Sequence, residues 1–253
     1  MKFQYGIALS GGAVRGIAHL GALKALEENR IHPEIISGIS AGSIVGALYA
    51  DGFAPEEVYE MFSKKGFFRF VKLGIPQGGL MQLSGLIQTV RENLRHQNFE
   101  QLDKPFFVGA TQLESGELEY FNTGNICSAV EASCSVPGLF QPAERNGIRY
   151  LDGGVVCNLP VEPLLGKANK IIGVNVVPMV SGLSYDRFGA VLEQTFAIVA
   201  RANMKPWIEY CDIFIEPTDL ARHSFFSKNK ERELFEIGYQ TAKKILLEKN
   251  TTI

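Results

Sequence analysis

Residues 38–42 read Gly-Ile-Ser-Ala-Gly and lie between the apolar pair Ile35-Ile36 and a run of small residues from Ser43 to Ala50. A serine between glycines, where a strand hands over to a helix, is the pattern of a nucleophile elbow, a turn tight enough to lift the hydroxyl out of the backbone. A Cβ at either flank would crowd that turn, which gives Gly38 and Gly42 a reason to be there. The same five residues also suit an ordinary glycine turn. What separates the two readings is whether the rest of the chain supplies a base for Ser40 and donors for an oxyanion.

The chain has 253 residues, 46% of them hydrophobic and 21% charged, which is enough apolar material for one large core; we expect a single domain over residues 1–253. A formal net charge of −2, with no lysine- or arginine-rich run, offers no field for nucleic acid. Cys127, Cys134, Cys157 and Cys211 have neither C-x-x-C spacing nor the density of a disulfide scaffold, so they read as small buried thiols in a reducing compartment. Ile7 to Gly12 becomes glycine-rich without a cleavage region, which argues against a signal peptide, and the uncharged window Ile35 to Ala50 is short for a bilayer span. The expectation is a soluble cytoplasmic protein. No H-E-x-x-H, paired-cysteine or EF-hand pattern is present, so neither metal nor cofactor is expected.

In chain order, Phe3 to Leu9 predicts a buried strand and Ser10 to Gly16 a loop opening a helix, whose apolar positions Leu20, Leu23, Ala25 and Leu26 recur at helical spacing. Glu34 to Gly38 predicts a second strand, followed by the elbow and a small-residue helix to Ala50. This is a β-loop-α-β-elbow-α unit with parallel strands. Helices are predicted over Pro55 to Lys65, Leu83 to Arg95, Asn125 to Ser135 and Phe188 to Asn203, the last ended or kinked by Pro206. A closing helix is predicted over Glu231 to Leu247. Phe106 to Thr111 with Leu118 to Phe121, and Phe140 to Ala143 with Ile148 to Leu151, read as two hairpins; Lys170 to Val177 and Asp212 to Glu216 read as further strands.

Three stretches carry chemistry. In Gly11 to Gly16, successive peptide N–H groups at a helix start can face one cavity and stabilise developing negative charge. A dinucleotide-binding reading of that loop fails twice, because Ala13 stands where glycine is needed and Ser37-Gly38 where an acid is needed. Ser40 needs a base, since a free hydroxyl is a weak nucleophile at neutral pH. Asp152-Gly153-Gly154 follows an apolar strand and is either a plain turn or the site of that base. Among His19, His32, His96 and His223, only His223 follows Asp152, as the order nucleophile, acid, histidine would require. It has no supporting turn signal, so a direct Ser40–Asp152 dyad is weighed above a Ser-Asp-His triad. Gly66 to Lys72 and Ser224 to Lys228 mix aromatic and basic residues, as interfacial segments do, although aromatics closing a core would look the same.

Taken together, Leu9 to Gly16 with His19 and Gly21, Gly38 to Ser43, Ser135-Val136-Pro137-Gly138, and Asp152-Gly153-Gly154 with Asn158-Leu159-Pro160 resemble the patatin-like phospholipase family. The motif-bearing region runs over about residues 5–218, followed by a C-terminal helix over about 229–248. The resemblance implies a three-layer α/β/α sandwich with a mostly parallel central sheet. It also implies a serine lipid acyl hydrolase of phospholipase A or esterase type, acting on phospholipid or other acyl esters; such a substrate calls for an apolar channel or for an approach to an interface, as by peripheral contact at the inner membrane surface. By position, Ser40 would be the nucleophile, Asp152 the base, and the amides of Gly11, Gly12 and Ala13 the oxyanion hole. Arg15, Gly16, Gly38, Gly42, Gly153 and Gly154 would support them. Ala13 replaces a glycine common in the family, and its methyl suits a donor amide provided that φ stays negative. A Ser-Asp-His esterase and a catalytically silent acyl- or anion-binding module are the alternatives.

Overall fold

The computed structural model describes residues 2–63, 72–73, 81–182, 186 and 188–250. The chain opens with strand β1 (Phe3–Leu9), helix α1 (Ile17–Glu28), β2 (Ile35–Gly38), α2 (Ala41–Ala50) and α3 (Pro55–Ser63). A small hairpin of β3 (Lys72–Leu73) and β4 (Met81–Gln82) precedes α4 (Ser84–Asn93). Next come β5 (Phe106–Gln112), β6 (Leu118–Phe121), α5 (Ile126–Ser133), β7 (Ala143–Arg145) and β8 (Ile148–Asp152). The chain continues through β9 (Ala168–Val174), α6 (Phe188–Ile208), β10 (Ile213–Ile215) and α7 (Glu231–Asn250).

The main sheet runs β10-β9-β1-β2-β5-β8-β7, with β6 also on β5. From β10 to β5 every pairing is parallel, whereas β6, β7 and β8 pair antiparallel. The parallel strands are apolar on both faces, as strands covered from both sides must be. Ile7, Leu9, Ile36, Phe106, Val108, Ile172 and Val174 enter one core with α1, α2, α5 and α7. Their neighbours Ala8, Ile35, Phe107 and Ile171 enter another with Met204 of α6. This period-two division makes the protein the three-layer α/β/α fold that the sequence predicts.

One feature of the sheet positions the site. Val108 of β5 pairs with Gly38 and with Phe121, and Ala110 pairs with Asp152 and with Glu119. Because β6 occupies one edge of β5 at both levels, β2 and β8 must share the other edge. There β2 runs parallel and β8 antiparallel to β5, so their C-terminal ends meet with only Gly109 between the two levels.

Several boundaries differ from expectation. Strand β7 begins at Ala143 and the hairpin turns at Asn146-Gly147, both at positive φ (53° and 78°), so Glu144 and Arg145 belong to the strand; a two-residue turn of this kind matches the natural twist of a hairpin. Strand β9 spans Ala168–Val174 instead of Lys170 to Val177, because Phe3 of β1 already pairs with Ala168. Helix α6 runs on to Ile208 with Pro206 inside its last turn, where the missing N–H removes a single bond at an exposed position. Of the aromatic segment Gly66 to Lys72, all but the backbone of Lys72 lies outside the described residues.

Candidate active site

Ser40 ends the β2 turn at φ 51°, ψ −122°, a conformation that costs a residue bearing a Cβ about 1–3 kcal/mol. The surroundings hold it there. Its N–H donates to Ser133 Oγ (2.8 Å), and that hydroxyl donates onward to the carbonyl of Gly109 (2.7 Å), so the end of α5 clamps the elbow to β5. The Ser40 carbonyl accepts the Ser43 N–H (2.8 Å) and hydroxyl (2.6 Å) as α2 starts. A Cβ on Gly42 would lie 2.3 Å from the Leu9 carbonyl oxygen, and one on Gly38 would lie 2.5 Å from that of Gly42. The turn therefore exists only with glycine at both flanks.

Asp152 arrives from the opposite direction as the last residue of β8. Its backbone is fixed by its own N–H to Ser135 O (2.9 Å) and by Thr111 Oγ1 donating to its carbonyl (3.1 Å). Its carboxylate accepts the Gly154 N–H (2.8 Å), and the nearby hydroxyl of Ser40 also favours its ionised form. The residue is 6% exposed, and burial pushes its pKa up to about 6 against the opposing pull of those two donors.

The glycine loop closes over the pair. The Gly11 N–H is committed to Asn158 Oδ1 (3.2 Å), whereas the amides of Gly12 and Ala13 have no hydrogen-bond partner among the described residues. Ala13 lies at φ 50°, so the condition of a negative φ is not met and its methyl is carried in the left-handed region where glycine is at home. Arg15 is buried at 6% exposure; its Nε donates to the His223 carbonyl (2.7 Å) and its guanidinium lies 4.4 Å over the Phe225 ring. Gly16 brings the start of α1 against Ala41, where a Cβ would lie 2.6 Å from the alanine's own. Gly153 is held against the Gly109 carbonyl, and Gly154 against Asn158 and Asp152.

Ser40, Asp152, Gly12 and Ala13 line a cavity of about 80 Å³ walled by Val136, Leu139, Val155, Leu192, Phe196 and Phe226. An apolar cavity with a few convergent polar groups is the usual form of a small-molecule site. Phe225 is buried beside Val177, Ala197 and Ala200, so the Ser224 to Lys228 segment turns its aromatics inward instead of presenting them to an interface.

The histidines lie elsewhere. His223 lines a different cavity, with its Nε2 3.5 Å from Glu233 Oε1. His19 is fully buried, its Nε2 against Ser10 O at 2.8 Å and its pKa lowered by burial to about 4. His96 Nδ1 meets Asp51 Oδ1 at 2.7 Å.

Two residues acquire parts that sequence reasoning did not give them. Ser133 is the clamp described above. Asn158, 4% exposed, fills the space between the glycine loop and the Asp152 turn, and its N–H donates to Asn203 Oδ1 of α6 (2.9 Å). Asn203 Nδ2 in turn donates to Gly154 O (2.9 Å). The Asn158-Leu159-Pro160 motif marked Asn158 without giving it this part; nothing local marked Ser133 or Asn203.

Comparison with known proteins agrees with the architecture. Among curated proteins, the chain is 31% identical over 162 residues to an NTE family protein of Mycobacterium tuberculosis, covering 63% of this chain and 45% of that one. It is 32% identical over 202 residues to lysophospholipase nte1 of Aspergillus fumigatus, covering 75% of this chain and 13% of that one. The chain thus spans less than half the length of these relatives. Its fold is similar to VipD from Legionella pneumophila (TM-score 0.55, 16% identity, 98% of this chain and 67% of that one). It is also similar to the type III effector protein ExoU (TM-score 0.52, 15% identity, 98% and 53%). The family model described as patatin-like phospholipase matches residues 7–165, more than half of the chain, and the protein belongs to that family.

Proposed function

We propose that this protein is a serine hydrolase of lipid acyl esters, with Ser40 as nucleophile and Asp152 as its base. The observation that carries the proposal is the placement of the Ser40 hydroxyl beside the Asp152 carboxylate, whose ionised form it favours, where two strand ends meet next to the amides of Gly12 and Ala13, which have no hydrogen-bond partner among the described residues. The lysophospholipase relative and the apolar cavity support a lipid ester as substrate.

In this reading Asp152 takes the Ser40 proton as the oxygen attacks the ester carbonyl, and the Gly12 and Ala13 amides receive the oxyanion. The tetrahedral adduct collapses, the alcohol leaves with the proton from Asp152, and acyl-Ser40 remains. Water then gives its proton to Asp152 and attacks the acyl carbon; on collapse Ser40 recovers the proton and the acid departs. A base with pKa near 6 is ionised at neutral pH yet basic enough to accept a proton in flight. Each oxyanion donor is worth about 3–4 kcal/mol, so the Gly11–Asn158 bond that shapes the loop matters to rate. A triad through His223 has no support, because that side chain lines the neighbouring cavity. Among the described residues no helix is long and apolar enough to cross a membrane, and a cytoplasmic placement with peripheral lipid contact suits the four free thiols.

The test is labelling with a fluorophosphonate and hydrolysis of a neutral medium-chain chromogenic ester. Ser40→Ala should abolish both, Asp152→Asn should lower turnover by 10³-fold or more on the order seen for general bases and nucleophiles acting together, and His223→Ala should leave turnover within a small factor of the parent. Equal labelling of parent and Ser40→Ala would end the proposal. Absence of labelling in the parent would favour a silent binding module, and loss of turnover in His223→Ala would favour the triad.

A further inference from the structure

The two open amides of the donor loop, those of Gly12 and Ala13, are bracketed by held ones. On one side the Gly11 N–H is bound to Asn158; on the other the Val14 N–H donates to the Phe225 carbonyl (3.3 Å). The second bracket belongs to a strap of residues 223–225. Arg15 Nε donates to the His223 carbonyl, the Arg15 guanidinium covers the Phe225 ring, and Ala13 packs against the cluster that Phe225 forms with Val177, Ala197 and Ala200. The strap lies past residue 165, where the family match ends.

Glu193 of α6, also past that point, holds the strap. Its Oε1 accepts the Ser224 hydroxyl (2.5 Å) and its Oε2 accepts the Phe225 N–H (3.0 Å). Phe225 is therefore gripped at both ends of its backbone, the N–H on Glu193 and the carbonyl on Val14. A carboxylate that takes a donor on each oxygen fixes orientation as well as position, and its bonds are stronger than those of a neutral acceptor. This chain of bonds ends one residue beyond Ala13, whose amide receives the oxyanion in the hydrolase reading.

We infer that Glu193 is a positioning residue of the reaction: it fixes Phe225, Phe225 fixes the Val14 amide, and the Gly12 and Ala13 amides are thereby held where the oxyanion forms. The inference rests on the hydrolase reading above and goes further by assigning the shape of the donor loop to a side chain that touches no reacting atom. No bond is made or broken at Glu193. Loss of its grip loosens the loop and weakens transition-state binding, while the apolar cavity still takes a chain.

The experiment uses three probes on the full chain. They are a neutral medium-chain ester, the trifluoromethyl ketone of equal chain length, and the free alcohol of equal length as a competitive inhibitor. Ser40 adds to the ketone carbonyl and gives its proton to Asp152, so the former carbonyl oxygen takes the place of the oxyanion; the alcohol fills the cavity without one. Glu193→Ala should lower kcat about tenfold with KM little changed, a part of the roughly 10²–10³ lost with a whole oxyanion donor. Ketone affinity should fall by the same factor, and alcohol affinity should stay as in the parent. Glu193→Gln, equal in size but with one acceptor oxygen, should fall between. Unchanged kcat and ketone affinity in Glu193→Ala overturn the inference, as does a loss of alcohol affinity equal to that of the ketone, which would make Glu193 a wall of the cavity only. If Glu193→Ala does not melt cooperatively, Glu193→Gln decides alone, by the same comparison of ketone with alcohol. Fluorophosphonate labelling of Ser40 in the parent is read separately, since its absence ends the hydrolase reading, whereas the ratios among labelled variants test Glu193.

Discussion

A carboxylate that is 6% exposed, with one amide and one hydroxyl to face it, is held in the fold at a cost when ionised. The pKa of Asp152 rises from 3.8 to about 6 on folding, so between those values the native state binds more protons than the unfolded chain. Stability from this group is therefore full below pH 3.8, declines as pH rises to about 6, and stays reduced above, by about 3 kcal/mol. Asp152→Asn, neutral at every pH, should raise the melting temperature by several degrees at pH 7.5 and by much less at pH 4, as followed by circular dichroism. An equal gain at both pH values would mean that the charge is not what strains the site. The acid limb of kcat/KM should fall near pH 6 for the same reason. At this scale the sequence was informative where chemistry is local. Ser40 between glycines and Asp152 before glycines can be recognised one at a time, but the positive φ of Ala13 could not, because alanine seldom leaves the negative-φ regions. Likewise, nothing in the residues around Gly11 shows that its amide belongs to Asn158.

Among elements, β5 organises the site without contributing a reactive group. It carries β2 and β8 end to end on one edge and passes its Gly109 carbonyl to Ser133 of α5, which holds the elbow. Ser133→Ala would leave the Ser40 N–H and the Gly109 carbonyl without that partner, at about 1–3 kcal/mol for each group left buried and unpaired. Because the group acts through Ser40's backbone, the expected kinetic signature is a kcat lowered about tenfold or more with KM little changed, alongside a lower melting temperature. A change confined to KM, or none in kcat, would mean that the elbow keeps its shape without the clamp. The β1-α1-β2-elbow-α2 unit was legible because hydrophobic periodicity and glycine punctuation agree over a short stretch. The meeting of β2 with β8 was not, since a strand's own residues do not say which edge of a distant strand it joins. The extension of α6 past Pro206 was missed for a related reason: a proline forfeits little in a final turn that other contacts already hold, among them Trp207 and Ile208 packed beneath the sheet.

In the whole molecule, residues beyond the family match complete the fold. Strands β9 and β10 extend the sheet, α6 forms a wall of both cavities, and α7 lies against α1 in backbone contact. That contact depends on two glycines: a Cβ on Gly21 would come within 2.0 Å of the Phe235 carbonyl oxygen, and one on Gly238 within 2.0 Å of that of Ala18. Gly238→Ala should force the helices apart and cost about 1–3 kcal/mol, read as a lower melting temperature, with activity per folded molecule retained. A variant as stable as the parent would show that α7 can shift freely on α1. The meeting of β2 and β8 on β5 has a different consequence, one of tolerance to insertion and deletion. Side chains alternate faces along a strand, so losing one residue from β8 would turn Asp152 to the opposite face of the sheet, and losing two would displace it by about 7 Å. Between the two strands, by contrast, the chain can lengthen or shorten in its connecting loops without altering the juxtaposition, as long as β5 keeps its register. The spacing of Ser40 and Asp152 is thus stepwise, open to change in whole residues of strand and indifferent to the length of chain between them.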